Sequence, residues 1–258
     1  MCSSDLMTTA ATHAQRLPGT ENGEWRYLGG DAGHTRYSPL DQINAGNFGD
    51  LEEVWAWRSD NFGPNLDYFS RATPIYVDGM LYSVATPRRQ VIAMDPATGE
   101  NLWTFRETPT IRHSRSPRQA YGKGVAYAEV NGRGVIYITT PGFFLWALDA
   151  KTGLPLENWG SAVPLEGFGD SGVVDLIPHL VEDWGPWQDY VIAGGSYDPN
   201  YGIPRELGMV TASAPPIVVN GVVVVRVGHQ PSYGQTRIEN VTGDSLGCSA
   251  ETGECIGK

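Results

Sequence analysis

The chain has 258 residues, of which 32 are glycine and 18 proline, an excess that demands many turns. With 41% hydrophobic residues, 8 Trp and 12 Tyr it is too apolar for a disordered chain, and no apolar run approaches the roughly 20 residues of a membrane helix. The 18 basic residues against 29 acidic ones leave a formal charge of −11, which opposes binding to nucleic acid phosphates or anionic lipid and removes both as expected partners.

Residues 1–20, MCSSDLMTTAATHAQRLPGT, are unpatterned and contain no continuous apolar stretch of the kind a secretory signal needs. Two readings follow, a cytoplasmic protein or a true start that lies elsewhere. From Leu51 onward, short β-branched and aromatic runs separated by Gly, Pro, Asn and Asp replace helical periodicity, which predicts an all-β fold with little helix. The predicted strands are VWAWR (54–58), PIYV (74–77), MLYSVAT (80–86), QVIAM (90–94), NLWTF (101–105) and GVIYITT (134–140). Asp78-Gly79 reads as a two-residue hairpin turn, because Gly accepts the positive φ such a turn requires, and Asn220-Gly221 joins IVV to VVVV in the same way.

The segment AMDPATGENLW (93–103) reappears as ALDAKTGLPLE (147–157) and, degraded, as GCSAETGECIG (247–257). TPIYVDGMLYSVAT (73–86) likewise returns as PPIVVNGVVVVRVG (215–228). Four short antiparallel strands repeated in this way make propeller blades, predicted near 72–107, 118–160 and 214–258 within a partial β-propeller domain over 21–258. VWAWR is expected as an additional strand. Between the second and third blades lies a long loop insertion, 161–213, whose Gly-, Pro-, Asp- and Trp-rich character begins at residue 155 and in which VVDLI and DYVIAGG are the candidate strands. In the repeated motif Asp95 can accept backbone N–H bonds, Thr98 can brace the turn, Gly99 supplies the unusual φ and Trp103 packs between blades, all of it structural rather than catalytic.

Cys2, Cys248 and Cys255 are too few for a disulfide framework and lack zinc spacing, so a structural zinc is excluded. Cys248 and Cys255 flank a predicted tight turn, where a disulfide and two free thiols are both open. His13, His34, His113, His179 and His229 share no metal spacing, and no Ser/His/Asp, phosphate-binding or dinucleotide motif is present.

The two intact Asp-x-x-Thr-Gly copies, with GEWRYLGGDAGHTRYSPLDQIN and RSPRQAYGKGVAYAEV, resemble the quinoprotein dehydrogenases, eight-bladed propellers that bind pyrroloquinoline quinone (PQQ) and carry this tryptophan docking motif. The resemblance covers about residues 23–258, the N-terminal part of such proteins and about three of the eight blades. It implies a periplasmic dehydrogenase that oxidises an alcohol or sugar hydroxyl, with PQQ as hydride acceptor, Ca²⁺ polarising the quinone and a cytochrome c or membrane quinone receiving the electrons. The carboxylate base of such enzymes lies in later blades, so no catalytic residue is assigned.

Cofactor contacts carry over one by one. Arg71 in SRATP stands where the family often has Glu, and a cation there suits a PQQ carboxylate. Arg118 and Lys123 in RSPRQAYGK are implied carboxylate partners, and Thr140 and Ser213 occupy places of family hydroxyls. Glu239 falls near the family's Ca²⁺-binding Glu, with Asn240 beside it as an alternative oxygen ligand. Two departures stand out: Arg226-Val227-Gly228 replaces the family's Gly-Ser or Gly-Asn, and Gly247, Ser249 and Gly257 replace the Ala, Asp and Trp of the third docking motif. The rival reading is a non-catalytic propeller used as an interaction scaffold of the bacterial envelope, since fold alone does not fix function.

Overall fold

A computed structural model describes residues 18–62, 70–86, 88–119, 122–229, 241 and 243–258. Its first sheet is β1 (Ile75–Val77), β2 (Met80–Ala85), β3 (Gln90–Met94) and β4 (Asn101–Phe105), antiparallel neighbours in chain order. The β1–β2 hairpin turns on Asp78 and Gly79 with φ of 50° and 77°, the paired positive values of a turn whose twist matches that of the flanking strands. After the short helix α1 (Ile111–Arg115), whose Thr110 side chain accepts from the His113 N–H, come β5 (Ala126–Val130), β6 (Arg133–Thr139) and β7 (Phe144–Asp149).

The fourth strand of this second sheet is β8 (Val173–Asp175), supplied by VVDLI from inside the insertion. Residues 155–160 stop short of a strand. Pro155 has no N–H to give and forms only an isolated bridge to Leu148, after which β8 takes over the edge of β7. The rest of the insertion forms α2 (Leu176–Val181), capped by the Asp175 side chain on the Ile177 N–H, and α3 (Gly185–Ile192). DYVIAGG, expected as a candidate strand, therefore lies largely in a helix, entered through Pro186 in its first turn where a missing N–H costs nothing.

Strand β9 (Val210–Thr211) then precedes the third sheet, β10 (Ile217–Val219), β11 (Val222–Arg226), β13 (Ser245–Ser249) and β14 (Cys255–Gly257), while β12 (Gly228–His229) pairs with β9. Cys248 and Cys255 face each other across the β13–β14 pair and form a disulfide. Helix is confined among the described residues to α1, α2, α3 and single 3₁₀ turns, and no helix there is long and apolar enough to cross a membrane.

The third strands of the first two sheets are buried on both faces, as a blade stacked between neighbours requires: β3 and β7 are buried along their whole length. One apolar layer, with Val77, Val84, Ile136 and Trp146, lies between the first and second sheets. Another, with Tyr137, Leu145, Val223 and Leu246, joins the second to the third and takes in Leu176 and Leu180 of α2.

The docking motif locks the layers. Trp103 donates through Nε1 to the Ala150 carbonyl at 2.9 Å and lies against Gly153, where an added Cβ would sit 2.6 Å from its Cδ2. Trp159 makes the corresponding 3.0 Å bond to the Ala250 carbonyl. The sequence alignment put Glu157 in that slot, so the second copy carries its Trp two residues late. VWAWR is not a strand, because no described strand lies beside it to complete a ladder. It still docks: Trp55 donates to the Pro96 carbonyl at 3.1 Å against Gly99, and Trp57 donates to Asn101 Oδ1 at 2.9 Å.

Candidate functional site

The segments that lead into the three inner strands are tied to one another by backbone bonds. The Thr73 N–H donates to the Lys123 carbonyl at 3.0 Å, and the Lys123 N–H donates to the Ser213 carbonyl at 3.2 Å. These residues precede β1, β5 and β10, so the link runs across all three blades at the start of their first strands. Arg118 adds a side-chain bond along it, Nη1 to Ser213 Oγ at 3.3 Å. Arg118, Lys123 and Ser213 are thus brought together, and Arg71 lies exposed two residues before Thr73.

Thr140 sits apart from that row, buried where β6 turns into β7. Its N–H donates to the Phe144 carbonyl at 2.9 Å and its hydroxyl accepts from the Phe144 N–H at 3.3 Å, so it braces its own turn. Glu239 and Asn240 lie outside the described residues. Among the described residues no group of three His, Cys, Asp or Glu side chains is placed to hold a metal ion.

Between the row and Thr140 lies a buried polar cluster that the sequence did not disclose. Arg89, held at φ 50° in the β2–β3 turn, donates from Nη1 to the Thr139 carbonyl at 3.2 Å and from Nη2 to the Arg118 carbonyl. It therefore fixes the loop that carries Arg118. Gly122 makes room for the arginine stem, since a Cβ there would lie 2.9 Å from Arg89 Cγ. Glu107 is buried and accepts from Trp146 Nε1 at 2.7 Å through Oε2, while Oε1 has no hydrogen-bond partner among the described residues. Burial pushes its carboxyl up to about 7, against the opposing pull of Thr140, Trp146 and the Arg112 and Arg89 charges.

Arg112 lies flat on the Phe144 ring, 3.3 Å from its centre, and gives Nη1 to Asp175 Oδ1 at 2.9 Å and to the Tyr197 hydroxyl at 2.6 Å. These two Arg112 bonds tie the insertion to α1, Tyr197 in turn donates to Asp175 Oδ2 at 2.6 Å within the insertion, and burial holds the phenol well above its usual range. His113 is buried, and desolvation followed by the Arg88 and Arg89 charges lowers it to about 4, so it is neutral at physiological pH. Arg112 Nε and Nη2, His113 Nδ1 and Thr139 Oγ1 have no partner among the described residues. Buried polar groups left in this way are uncommon, and their concentration at one place marks a spot built for polar company.

The set is rich in donors. Arg89, Arg112, Arg118 and Lys123, with the hydroxyls of Thr139 and Ser213, outnumber the two carboxyls of Glu107 and Asp175, a balance that fits a polycarboxylate and disfavours a cation. Nothing local in the sequence signals Arg89, Glu107 or Arg112. Each is a charged residue in a connection between strands, and only tertiary burial sets them apart from solvated loop charges.

Three docked four-stranded sheets, joined by backbone bonds at the starts of their inner strands, define part of a β-propeller. Residues 25–256 match the PQQ family described as "Glucose/ethanol/alcohol dehydrogenase, beta-propeller domain", and the chain belongs to that family. It is 29% identical to the glycerol dehydrogenase large subunit of Gluconobacter thailandicus over 98% of this chain and 30% of that one. It is 36% identical to the 1-butanol dehydrogenase (cytochrome c) of Thauera butanivorans over 51% of this chain and 18% of that protein. Among solved structures, quinohemoprotein alcohol dehydrogenase ADHIIG of Pseudomonas putida HK5 superposes with a TM-score of 0.60 at 28% identity, covering 90% of this chain and 26% of the other. The chain thus spans about 30% of the length of the first curated relative it matches.

Proposed function

We propose that these blades form part of a quinoprotein dehydrogenase that oxidises an alcohol or sugar hydroxyl, and that their contribution is to hold the carboxylates of PQQ. When bound, PQQ supplies a quinone that accepts hydride. Arg118 and Lys123 would give charge-assisted bonds to its carboxylates, Ser213 would add a hydroxyl donor and Arg71 a cation at the exposed side, while Thr140, apart from this row, braces the β6–β7 turn. Arg89 positions Arg118 by holding its carbonyl. Glu239 and Asn240 are the proposed oxygen ligands of Ca²⁺, and a cytochrome c or membrane quinone is the proposed electron acceptor. The periplasm is the proposed location, in keeping with a disulfide between Cys248 and Cys255.

The single observation that supports this reading is the Thr73–Lys123–Ser213 link with Arg118 bonded to Ser213, which collects the implied cofactor residues of two blades in one place. Difference absorption spectroscopy of the chain titrated with PQQ tests it. Three blades supply a minority of a ring's axial contacts, so saturation is expected only well above micromolar cofactor. Replacing Arg118 and Lys123 by Ala removes two charged bonds of roughly 1.5–3 kcal/mol each and should weaken the remaining binding by at least about tenfold. Equal binding by the double variant and the parent chain would refute the assignment.

A further inference from the structure

The three docking turns are built alike but closed differently. In the first, Asp95 Oδ1 accepts from the Ala97 and Thr98 N–H groups at 2.7 and 3.0 Å. In the second, Asp149 Oδ1 accepts from the Lys151 and Thr152 N–H groups at 3.0 and 2.8 Å, and from the Thr152 hydroxyl at 2.9 Å. The third has Ser249 in place of the carboxylate, and its Oγ accepts from the Thr252 N–H at 3.1 Å. A charged acceptor that gathers several N–H groups has been exchanged for a neutral hydroxyl holding one, a weaker closure by physical chemistry alone.

What flanks this weaker turn is the disulfide. Cys248 and Cys255 stand just outside the pair formed by Ser249 and Glu254, whose N–H and carbonyl meet at 2.7 Å. The turn they enclose is the one the second blade grips. Trp159 Nε1 and the Tyr137 hydroxyl both donate to the Ala250 carbonyl, at 3.0 and 2.7 Å, and the Gly160 N–H donates to the Thr252 carbonyl at 2.8 Å. Gly253 lies under the Trp159 ring, where a Cβ would meet Cδ2 at 3.1 Å.

We propose that the Cys248–Cys255 disulfide is a redox-sensitive clasp: oxidised, it holds the third docking turn in the shape that Trp159 and Tyr137 bind, and its reduction loosens the third blade from the second. Cys248 is buried, whereas Cys255 is only partly buried and lies on β14, the edge strand, next to the exposed Ile256. The accessible sulfur is therefore that of Cys255. A thiolate of an external dithiol attacks Cys255 Sγ, the S–S bond breaks and Cys248 leaves as a thiolate that takes up a proton. The second thiol of the reductant then displaces Cys255 as a thiol, and the dithiol ends as its own cyclic disulfide. Two electrons and two protons pass to the protein. The first and second turns, closed by Asp95 and Asp149, are untouched by this chemistry. Loosening the third blade also frees Ser213, which leads into β10, from the Arg118 side chain of the second.

Amide hydrogen exchange of the full chain, with and without dithiothreitol, reads the proposal without any cofactor. In the untreated chain a thiol titration should find Cys2 alone. Reduction should lower the protection of residues 245–257 by at least about tenfold, leave residues 90–105 unchanged, and shift Trp159 fluorescence. Ser249→Asp, which restores the carboxylate of the other two turns, should keep most of its protection after reduction. Three free thiols in the untreated chain, unchanged exchange on reduction, or a Ser249→Asp variant as sensitive as the parent would each overturn the clasp. The readout needs no cysteine variant, so failure of such a variant to fold does not affect it.

Discussion

Replacing Gly153 by Ala is the sharpest perturbation of blade docking, because it adds one methyl group at the point where the Trp103 ring lies on the second blade. Gly153 has φ +70°, and an added Cβ would stand 2.6 Å from Trp103 Cδ2 and 3.0 Å from Cζ3. The left-handed backbone alone costs about 1–2 kcal/mol for an L-residue. The ring cannot keep its place, so the 2.9 Å bond from Trp103 to the Ala150 carbonyl, worth about 1 kcal/mol, is lost with part of the buried indole surface. The expected destabilisation is about 3–5 kcal/mol. Gly132→Ala is the control: φ is +76° but nothing lies within 4 Å of the added Cβ, so only the backbone cost of about 1–2 kcal/mol applies. Urea unfolding followed by circular dichroism measures both. In a Trp103→Ala background Gly153→Ala should fall to the Gly132 cost, since the ring is gone. Equal effects of the two glycine substitutions in the parent chain would show that the indole does not dock the blades.

Glu107 and His113 make opposing contributions to stability against pH. The folded pKa of Glu107 is raised from 4.5 to about 7, so stability is full below about pH 4.5 and falls as pH rises toward 7. That of His113 is lowered from 6.5 to about 4, so stability falls as pH drops from 6.5 toward 4, and the two slopes nearly cancel between. Glu107→Gln should expose the His113 slope, stability rising with pH by up to about 1.4 kcal/mol per unit between pH 4.5 and 6.5, and midpoints of this variant that stay flat across that window would count against the burial of His113. Asp175→Ala leaves Arg112, whose side chain is 5% exposed, without its carboxylate and should cost about 3–5 kcal/mol in the same unfolding assay, whereas a loss under 1 kcal/mol would mean that the pair is solvated.

What was legible in the sequence was whatever depends on neighbours in the chain. Asp78-Gly79 and Asn220-Gly221 turn because of their own φ preferences, and the strands on either side alternate or bury as their apolar runs dictate. Trp159 was missed because the second copy carries a two-residue shift, a change invisible to a motif matched in rigid register. VWAWR reads as a strand by composition, yet a ladder needs a second strand, and it contributes only the docking half of the motif through Trp55. DYVIAGG reads as a candidate strand by composition, but residues 189–192 of it belong to α3. The spacing of Trp187, Tyr190 and Val191 then fits one helix face, and Pro186 fits its first turn. Arg89, Glu107 and Arg112 were illegible for a different reason. Their importance is burial, and burial of a charge in a connection is decided by elements far away in the chain.

The division of labour follows from these physical differences. Between the sheets the contacts are apolar layers and docked indoles, with one donor per ring satisfied by a carbonyl of the next blade, and such contacts can be repeated because they ask only for a turn of fixed shape. The repeat is strongest there. Where the inner strands begin, the side chains are not repeated: Thr73, Lys123 and Ser213 are joined by backbone bonds, yet a lysine stands between two hydroxyl residues. A ring of identical blades would present identical groups to its centre, which cannot grip a ligand whose carboxylates are unequally placed. Charges gathered there are costly to bury, and the Arg112, Asp175 and Tyr197 bonds that compensate them come partly from the insertion that interrupts the second blade. The insertion is thus more than a spacer between repeats, since its Asp175 and Tyr197 supply the acceptors that pair the buried Arg112 guanidinium beside Phe144.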